Sequence, residues 1–221
     1  MKFFYRGLTL EIDDDIYYPR EDSIMLAEQL EKEEGKKILD MGCGSGFLSI
    51  LAAKKNFVTS VDINAKACRT AKNNAMKNEV NIEVIHSDLF SRVSGRFDII
   101  VFNPPYLPDI EEDELKDISY HGGKTGREVI EKFIEKAKYF LEENGKILLL
   151  ISSLTGEKEV LKLLENHGFS SEIKARKKVP WEELIVIEAV IKYIEEALRY
   201  EKGAFGYEED AVQYDENAVQ E

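Results

Sequence analysis

The sequence predicts an α/β chain built on a doubly wound, mostly parallel sheet, and three observations support that class. First, Lys37-Ile-Leu-Asp-Met41 reads as a short strand that runs into Gly42-Cys43-Gly44-Ser45-Gly46 and then a helix from Phe47 to Lys55. Strand, glycine turn and helix form the opening unit of such a fold. Second, the strand-like runs Phe57–Val61 and Asn81–Ile85 are followed by Asp62 and Asp88, so three acids stand at or beyond successive strand ends, counting Asp40. Third, the apolar run Phe97–Phe102 reads as a buried parallel strand and stops abruptly at Asn103-Pro104-Pro105-Tyr106. Neither proline can donate to a ladder or enter a helix interior, and Pro105 pushes Pro104 toward an extended conformation.

The remaining elements follow in order. Residues from Phe3 to Ile12, and Ile16 to Tyr18, read as irregular or short-strand structure ended by Pro19. Glu21-Asp22-Ser23 before Ile24-Met25-Leu26-Ala27 reads as a helix start, with Asp22 and Ser23 as capping residues and Gly35 as the stop. Asn64 is placed to cap a helix whose inner face carries Ala67, Cys68, Ala71 and Ala75. Leu107 to Gly126 is a long acidic connection that includes Glu111 to Glu114, and a connection of this length is usually functional or mobile. Val129, Ile130, Phe133, Ile134, Ala137, Phe140 and Leu141 keep helical spacing up to Gly145. Lys146–Ile151 reads as a fifth, fully buried strand, and Glu157–His167 as a helix stopped by Gly168. Two late strands, around 172–177 and 184–190, flank Pro180-Trp181 and suggest an antiparallel hairpin. Trp181 reads as a packing residue, and the basic run Lys174–Lys178 as a solvated strand face. A last helix is expected over Ile191–Lys202, and Gly203–Glu221, acidic and nearly free of aliphatic residues, reads as a disordered tail. The expected division is therefore 1–190 as the catalytic domain and 191–221 as an extension and tail, with no internal repeat.

Composition narrows the partners. The chain has 221 residues, of which 43% are hydrophobic, enough for one α/β domain with a substantial core. Its net charge of -13 is a poor start for gripping a phosphate backbone unaided. No apolar run reaches membrane-spanning length and no signal-peptide h-region follows Met1, so a cytoplasmic location is expected. Cys43 and Cys68, with no Cys-x-x-Cys and no paired His, indicate reduced thiols and no metal site.

The chemistry is carried by the strand ends. After Phe102, the carbonyls of Asn103 and Pro104 are left unpaired and held stiffly, the Asn103 side chain adds an amide oxygen, and Tyr106 adds a flat face. Coplanar acceptors beside a stacking surface suit a planar NH2 group. The glycine turn lets backbone approach a ligand closely. It lacks the third glycine of a dinucleotide fingerprint, because Phe47 stands there, and it has no Lys-Ser/Thr of a P-loop. Gly123-Lys124-Thr125 imitates a P-loop, but Ile118 occupies the position of its first glycine. An acid after the second strand, Asp62, is well placed to accept hydrogen bonds from ribose hydroxyls.

Together, Asp40-x-Gly-x-Gly-x-Gly46, Asp62, Asp88 and Asn103-Pro104-Pro105-Tyr106 resemble a class I S-adenosylmethionine-dependent methyltransferase acting on amino groups. Tyr18-Pro-Arg-Glu-Asp-Ser23 and Gly122-Gly-Lys-Thr-Gly-Arg-Glu128 narrow the resemblance to the short, archaeal and eukaryotic branch of the HemK protein-glutamine methyltransferases. It covers roughly residues 8–190, and Ser23 stands where that family usually has Thr. The resemblance implies a Rossmann-like fold with a seven-stranded, mostly parallel sheet and an antiparallel late strand. It implies S-adenosylmethionine as cofactor, held through Ser23, Asp40, Gly42, Gly44 and Gly46, with Asp40, Gly42 and the Ser23 hydroxyl at the methionine end. Asp62 would take the ribose, Asp88 and Leu89 the adenine, and Asn103 would touch both cofactor and substrate. It implies catalysis by Asn103, Pro104, Pro105 and Tyr106 on the glutamine of a Gly-Gly-Gln motif in a class I release factor. The helical domain that bacterial members carry has no room before residue 37. A small zinc-containing activator subunit is implied instead. Given the usual strand order of this fold, Asn81–Ile85 becomes a sheet edge, and its apolar character suits such a partner. An adenine-N6 methyltransferase on RNA or DNA would use the same acceptors, and a non-catalytic binding subunit is a third reading. Acidity counts against the former and the intact Asn-Pro-Pro-Tyr against the latter.

Overall fold

A computed structural model of the protein describes residues 1–107 and 123–192, and Met1–Ile191 forms one compact unit. The chain opens with an antiparallel hairpin, β1 (Lys2–Tyr5) and β2 (Leu8–Glu11). Helix α1 (Glu21–Leu30) follows, then β3 (Lys37–Met41), α2 (Phe47–Ala52), β4 (Phe57–Asp62), α3 (Ala65–Lys77) and β5 (Glu83–His86). The second half comprises β6 (Phe97–Phe102), α4 (Glu128–Ala137), β7 (Leu141–Ser152), α5 (Glu157–Asn166), β8 (Phe169–Val179) and β9 (Glu182–Ile191).

The main sheet has seven strands in the order β5-β4-β3-β6-β7-β9-β8. Strands β3 to β7 pair in parallel and β9 runs antiparallel between β7 and β8, as the sequence predicts. The chain moves outward from β3 through β4 to β5 and then returns to β6 on the other side of β3. That reversal opens a crevice beyond the carboxyl ends of β3 and β6, the place where open α/β sheets bind ligands.

Strand alternation divides the core. Ile38, Ile99, Val101 and Leu148 point to one face, where they pack with Leu10, Leu26 and Ile50 from the hairpin, α1 and α2. Leu39, Ile100 and Leu149 point to the other, against Phe133 and Ile134 of α4 and Leu164 of α5. These side chains are essentially inaccessible to water, and truncating any one to Ala would cost about 2–5 kcal/mol. The inner face of α3 is the expected one: Ala67, Cys68, Ala71 and Ala75 are buried and Asn64 caps it through Lys66 N. Small residues there let α3 approach α2 and the glycine turn closely.

The hairpin is tied down by two asparagines one helical turn apart on α3. Asn74 accepts from Glu11 N at 2.9 Å and donates to Glu11 O at 2.9 Å, while Asn78 accepts from Thr9 N at 3.0 Å and donates to Thr9 O at 2.8 Å. Each side-chain amide thus stands in for the backbone of a neighbouring strand along the edge of β2.

Several expectations change. Leu141 does not end a helix. After α4 and a short 3-10 turn, Lys138–Phe140, it opens β7 and pairs with Phe97, with an irregularity before Ile99 meets Lys146. Gly145 sits in that irregularity, where a Cβ would lie 2.8 Å from Phe97 O, so close backbone approach rather than helix capping requires glycine. Helical spacing could not tell the two apart because Leu141 is buried in either arrangement. Strand β5 begins at Glu83, leaving Ile82 before it, and it does form the sheet edge. Asp22 and Ser23 are not caps: the N-cap is Arg20, without a side-chain cap bond, and both residues lie buried in the first turn of α1. Trp181 does not pack. It stands 96% exposed beyond the last ladder pair, Val179 with Glu182, where none of the described elements covers it. The basic run on β8 is solvent-exposed as expected, and Cys43 and Cys68 are free and buried. No described helix is long and apolar enough to cross a membrane. Ile191 ends β9. The rest of the expected final helix, the acidic tail, and residues 108–122 of the long connection (Gly122 included) lie outside the described residues.

Candidate active site

Strands β3 and β6 lie side by side with Met41 opposite Phe102, so the glycine turn and Asn103 leave the sheet next to each other. Between them opens a cavity of about 1040 Å³, at the upper end of the size range for small-molecule sites. Its wall includes Ser23, Asp40, Gly42 and Gly44 on one side and Asp62, Asp88 and Leu89 on another. Asn103, Pro104, Pro105 and Tyr106 complete it. Nine of the eleven residues so named lie beyond strand ends or in the first turn of a helix, while Asp62 is the last residue of its strand and Asp40 the penultimate residue of its own. Gly46 alone of the expected site residues stands outside that wall.

The glycines therefore have separate jobs. Gly46 is left-handed at φ 83°, and a Cβ there would come within 2.9 Å of both Cα and Cβ of Ala71 on α3. It is a packing glycine. Gly44 is also left-handed, at φ 53°, but a Cβ would meet nothing within 4 Å. Its bare backbone faces open space in the cavity, as a turn that admits a ligand requires. Gly44 N donates to Asp62 at 2.9 Å and Asn64 N donates to the other Asp62 oxygen at 2.8 Å. Asp62 is thereby held rigidly at the end of β4. Asp88 is exposed just past β5, and Leu89 beside it is left-handed at φ 43°.

Asp40 is almost wholly buried on β3. Ser49 of α2 donates to its carboxylate, and Ser60 of β4 donates to Ser49 at 2.7 Å. Burial dominates its titration and pushes it up to about 7 despite the Ser49 bonds, with Asp62 adding to the rise. Asp62 is raised too, chiefly by burial, against the backbone N–H groups that stabilise its charge.

Asn103 is supported from α1. Its amide nitrogen donates to Ser23 Oγ at 3.4 Å, and Ser23 Oγ donates to Asp22 at 3.1 Å. Tyr17 donates its hydroxyl to the same carboxylate. Tyr106 is half-buried and packs against the core. Its phenol is held protonated chiefly by burial and then by the Asp22 charge, so it is neutral at any working pH. Asp22 and Tyr17 are supports of the cavity wall that pattern reading missed. Two acids before an apolar helix look like a capping turn, and only the Glu-Asp-Ser motif of the resemblance marked the place. Asn103 Oδ1, by contrast, is buried and has no hydrogen-bond partner among the described residues. An orphan acceptor in a native site calls for an explanation, and a donor from a ligand supplies one.

These features fit S-adenosylmethionine. The open turn at Gly44 admits a ligand, Asp62 offers a fixed carboxylate for paired hydroxyls, and an acidic cavity suits a cation. The Asn103 oxygen remains available to a ligand donor.

Comparison with known proteins agrees. The family model described as methyltransferase small domain matches residues 21–178. A Methanocaldococcus jannaschii protein described as a protein N5-glutamine methyltransferase is 45% identical over 188 residues, covering 83% of this chain and 95% of its own length. The release factor glutamine methyltransferase of Lactococcus lactis is 34% identical over 167 residues, which are 69% of this chain. This chain spans 62% of that bacterial protein. Among solved structures, the E. cuniculi Mtq2–Trm112 complex, responsible for methylation of the eRF1 translation termination factor, contains a chain 30% identical with a TM-score of 0.67. The match covers 80% of this chain and 99% of that one. By the family model and by these relatives, the chain belongs to the methyltransferase small domain family and, within it, to the HemK-type protein-(glutamine-N5) methyltransferases.

Proposed function

We propose that the protein methylates the side-chain amide nitrogen of the glutamine in a Gly-Gly-Gln motif of a translation release factor. The observation that carries this reading is the buried Asn103 Oδ1, unpartnered among the described residues, at the end of β6 beside the stiff Pro104-Pro105 backbone. An amide nitrogen is a poor nucleophile because its lone pair is shared with its carbonyl. S-adenosylmethionine, when bound, supplies a methyl group on a sulfonium, which is already a good leaving group. What remains for the chain is positioning. Asn103 Oδ1 and the Pro104 carbonyl would each accept one amide proton and so fix the nitrogen and its lone pair. The same acceptors stabilise the positive charge that grows on nitrogen as the sulfur–methyl bond breaks, and one of the two held protons then passes to water, leaving the neutral N-methyl amide. Ser23 and Asp22 hold Asn103, and the Tyr106 ring walls the slot. Mass spectrometry of a release factor incubated with the protein and S-adenosylmethionine tests this. A gain of one methyl on the motif glutamine is expected, and methyl found on any other residue, or on RNA, would refute it.

The reading extends to a small zinc-containing activator subunit docked along β5, with the activity in the cytoplasm, where release factors work. The E. cuniculi relative was solved in complex with Trm112, which supports a partner for this chain as well. Strand β5 offers a free edge on which Val84 and Ile85 are half-buried, and strand addition there would satisfy its open backbone groups. Co-expression with and without the partner gene tests it, and full activity of the isolated monomer would end it.

A further inference from the structure

Pro180-Trp181, the turn joining β8 to β9, carries a feature that the fold does not need. Trp181 is the single tryptophan of the chain, and it is 96% exposed. It is also left-handed at φ 75°, a conformation that a bulky L-residue adopts only under constraint. A proline followed by a residue at positive φ is the pattern of a type II turn, whose ordinary occupant there is glycine. Neither burial nor backbone preference accounts for this residue.

The turn is nevertheless firmly held. Ser152 donates its hydroxyl to Glu182, and Glu183 N donates to Ser153 Oγ at 3.0 Å. Arg176 bridges Glu183 at 3.0 Å and Glu157 at 2.6 Å. The turn also builds part of the active-site rim: Val179, Pro180, Glu182 and Leu184 line the cavity, and Trp181 stands just outside it. A rigid, solvated aromatic beside the mouth of a site is a preorganised anchor, because little entropy is lost when it is covered.

We propose that Trp181 is a docking residue for the polypeptide that carries the target glutamine, covered by the backbone flanking that residue while the side-chain amide enters the cavity. This rests on the protein-glutamine reading above. The lone tryptophan makes the test direct. The full chain, with its partner subunit where activity requires one, is titrated with a tryptophan-free release-factor domain bearing Gly-Gly-Gln. Emission is expected to shift to the blue and acrylamide quenching to fall, whereas S-adenosylmethionine alone leaves both unchanged. Trp181→Gly, which relieves the backbone constraint, is expected to keep thermal stability and cofactor affinity. It should raise KM for the domain at least tenfold while kcat stays within about twofold.

An unchanged KM, or emission insensitive to the domain, overturns the proposal. So does emission that shifts with enzyme concentration alone, which would assign the side chain to self-association. A Trp181→Gly chain that melts earlier, with kcat lost in parallel, makes the residue structural and also overturns it. If the wild-type chain fails to methylate the domain at all, the protein-glutamine reading fails first, and the two failures are told apart.

Discussion

Two glycines separated by one residue should respond to the same substitution in opposite ways. At Gly46 an added methyl would sit 2.9 Å from the Ala71 Cα and Cβ and 3.3 Å from Ile50 Cδ1, on a backbone at φ 83°. Ala71 is part of α3, so the obstacle is main chain and cannot rotate away. Overpacking costs about 1–3 kcal/mol and the left-handed conformation about 1–2 more. Gly46→Ala should therefore lose about 2–5 kcal/mol, and for a chain of this size each kcal/mol is worth about 2–4 °C in Tm. At Gly44 the methyl meets nothing within 4 Å, so only the conformational cost remains, about 1–2 kcal/mol. Its effect falls on binding instead, because the methyl projects into the space a cofactor would fill. Thermal scans with and without S-adenosylmethionine, paired with calorimetric titration, measure both. Gly44→Ala should melt about 2–8 °C below wild type and lose at least tenfold in cofactor affinity. Gly46→Ala should melt many degrees lower, and what remains folded should still bind. Equal losses of stability in the two variants, or normal binding by Gly44→Ala, would refute the separation of roles.

Asn103→Ala should leave cofactor affinity within a few-fold while turnover falls on the order of a hundredfold or more, as expected when one preorganised acceptor is lost; single-turnover kinetics decide it. Asn74→Ala removes the bonds that tie β2 and Ser45 O to α3. At about 1–3 kcal/mol for each buried group left unsatisfied, hydrogen exchange should rise first in the hairpin and then in the glycine turn. Asp40, raised to about 7 by burial, holds its proton more tightly folded than unfolded. Its contribution is complete below the unfolded pKa near 4 and is lost as pH rises through 7, on the order of a few kcal/mol across that window. Urea midpoints should fall from pH 5 to pH 8, and Asp40→Asn should flatten that slope.

What was legible in the sequence follows a physical division. Strands β3, β4 and β6 are short apolar runs ended by Gly, Asp or Asn-Pro, and their ends could be read because chain-terminating chemistry is local. Asn64 could be read as a cap for the same reason. Leu141 and Gly145 could not, because a buried leucine followed by a glycine suits a helix end and an irregular strand equally. Only the pairing of Leu141 with Phe97, across 44 residues, separates them. Asp22, Tyr17 and Asn74 were invisible as supporting or anchoring residues because their partners are non-local in structure or disguised by a commoner local motif. The glycine motif was legible as a site but not as a division of labour, since the atoms that decide it belong to Ala71 on another helix.

The acidity of the chain takes on a different meaning at the cavity. Asp22, Asp40, Asp62, Asp88 and Glu182 line it, and Arg20 and Lys132 are the only cationic side chains among the described residues that do. Without a ligand this is an unfavourable arrangement, and the raised titration of Asp40 and Asp62 records the cost of burying charge there. A ligand carrying a sulfonium and an ammonium reverses the balance, since each positive charge in a low-dielectric cleft favours the ionised carboxylates. If Asp40 feels that charge, cofactor binding is expected to release a proton, and affinity measured by calorimetry should rise with pH across the range in which Asp40 titrates; a flat profile would refute the coupling. The same negative field repels a phosphate backbone. The net charge that argues against nucleic acid across the whole molecule and the charge that suits a cationic methyl donor within the cavity thus have a common physical origin.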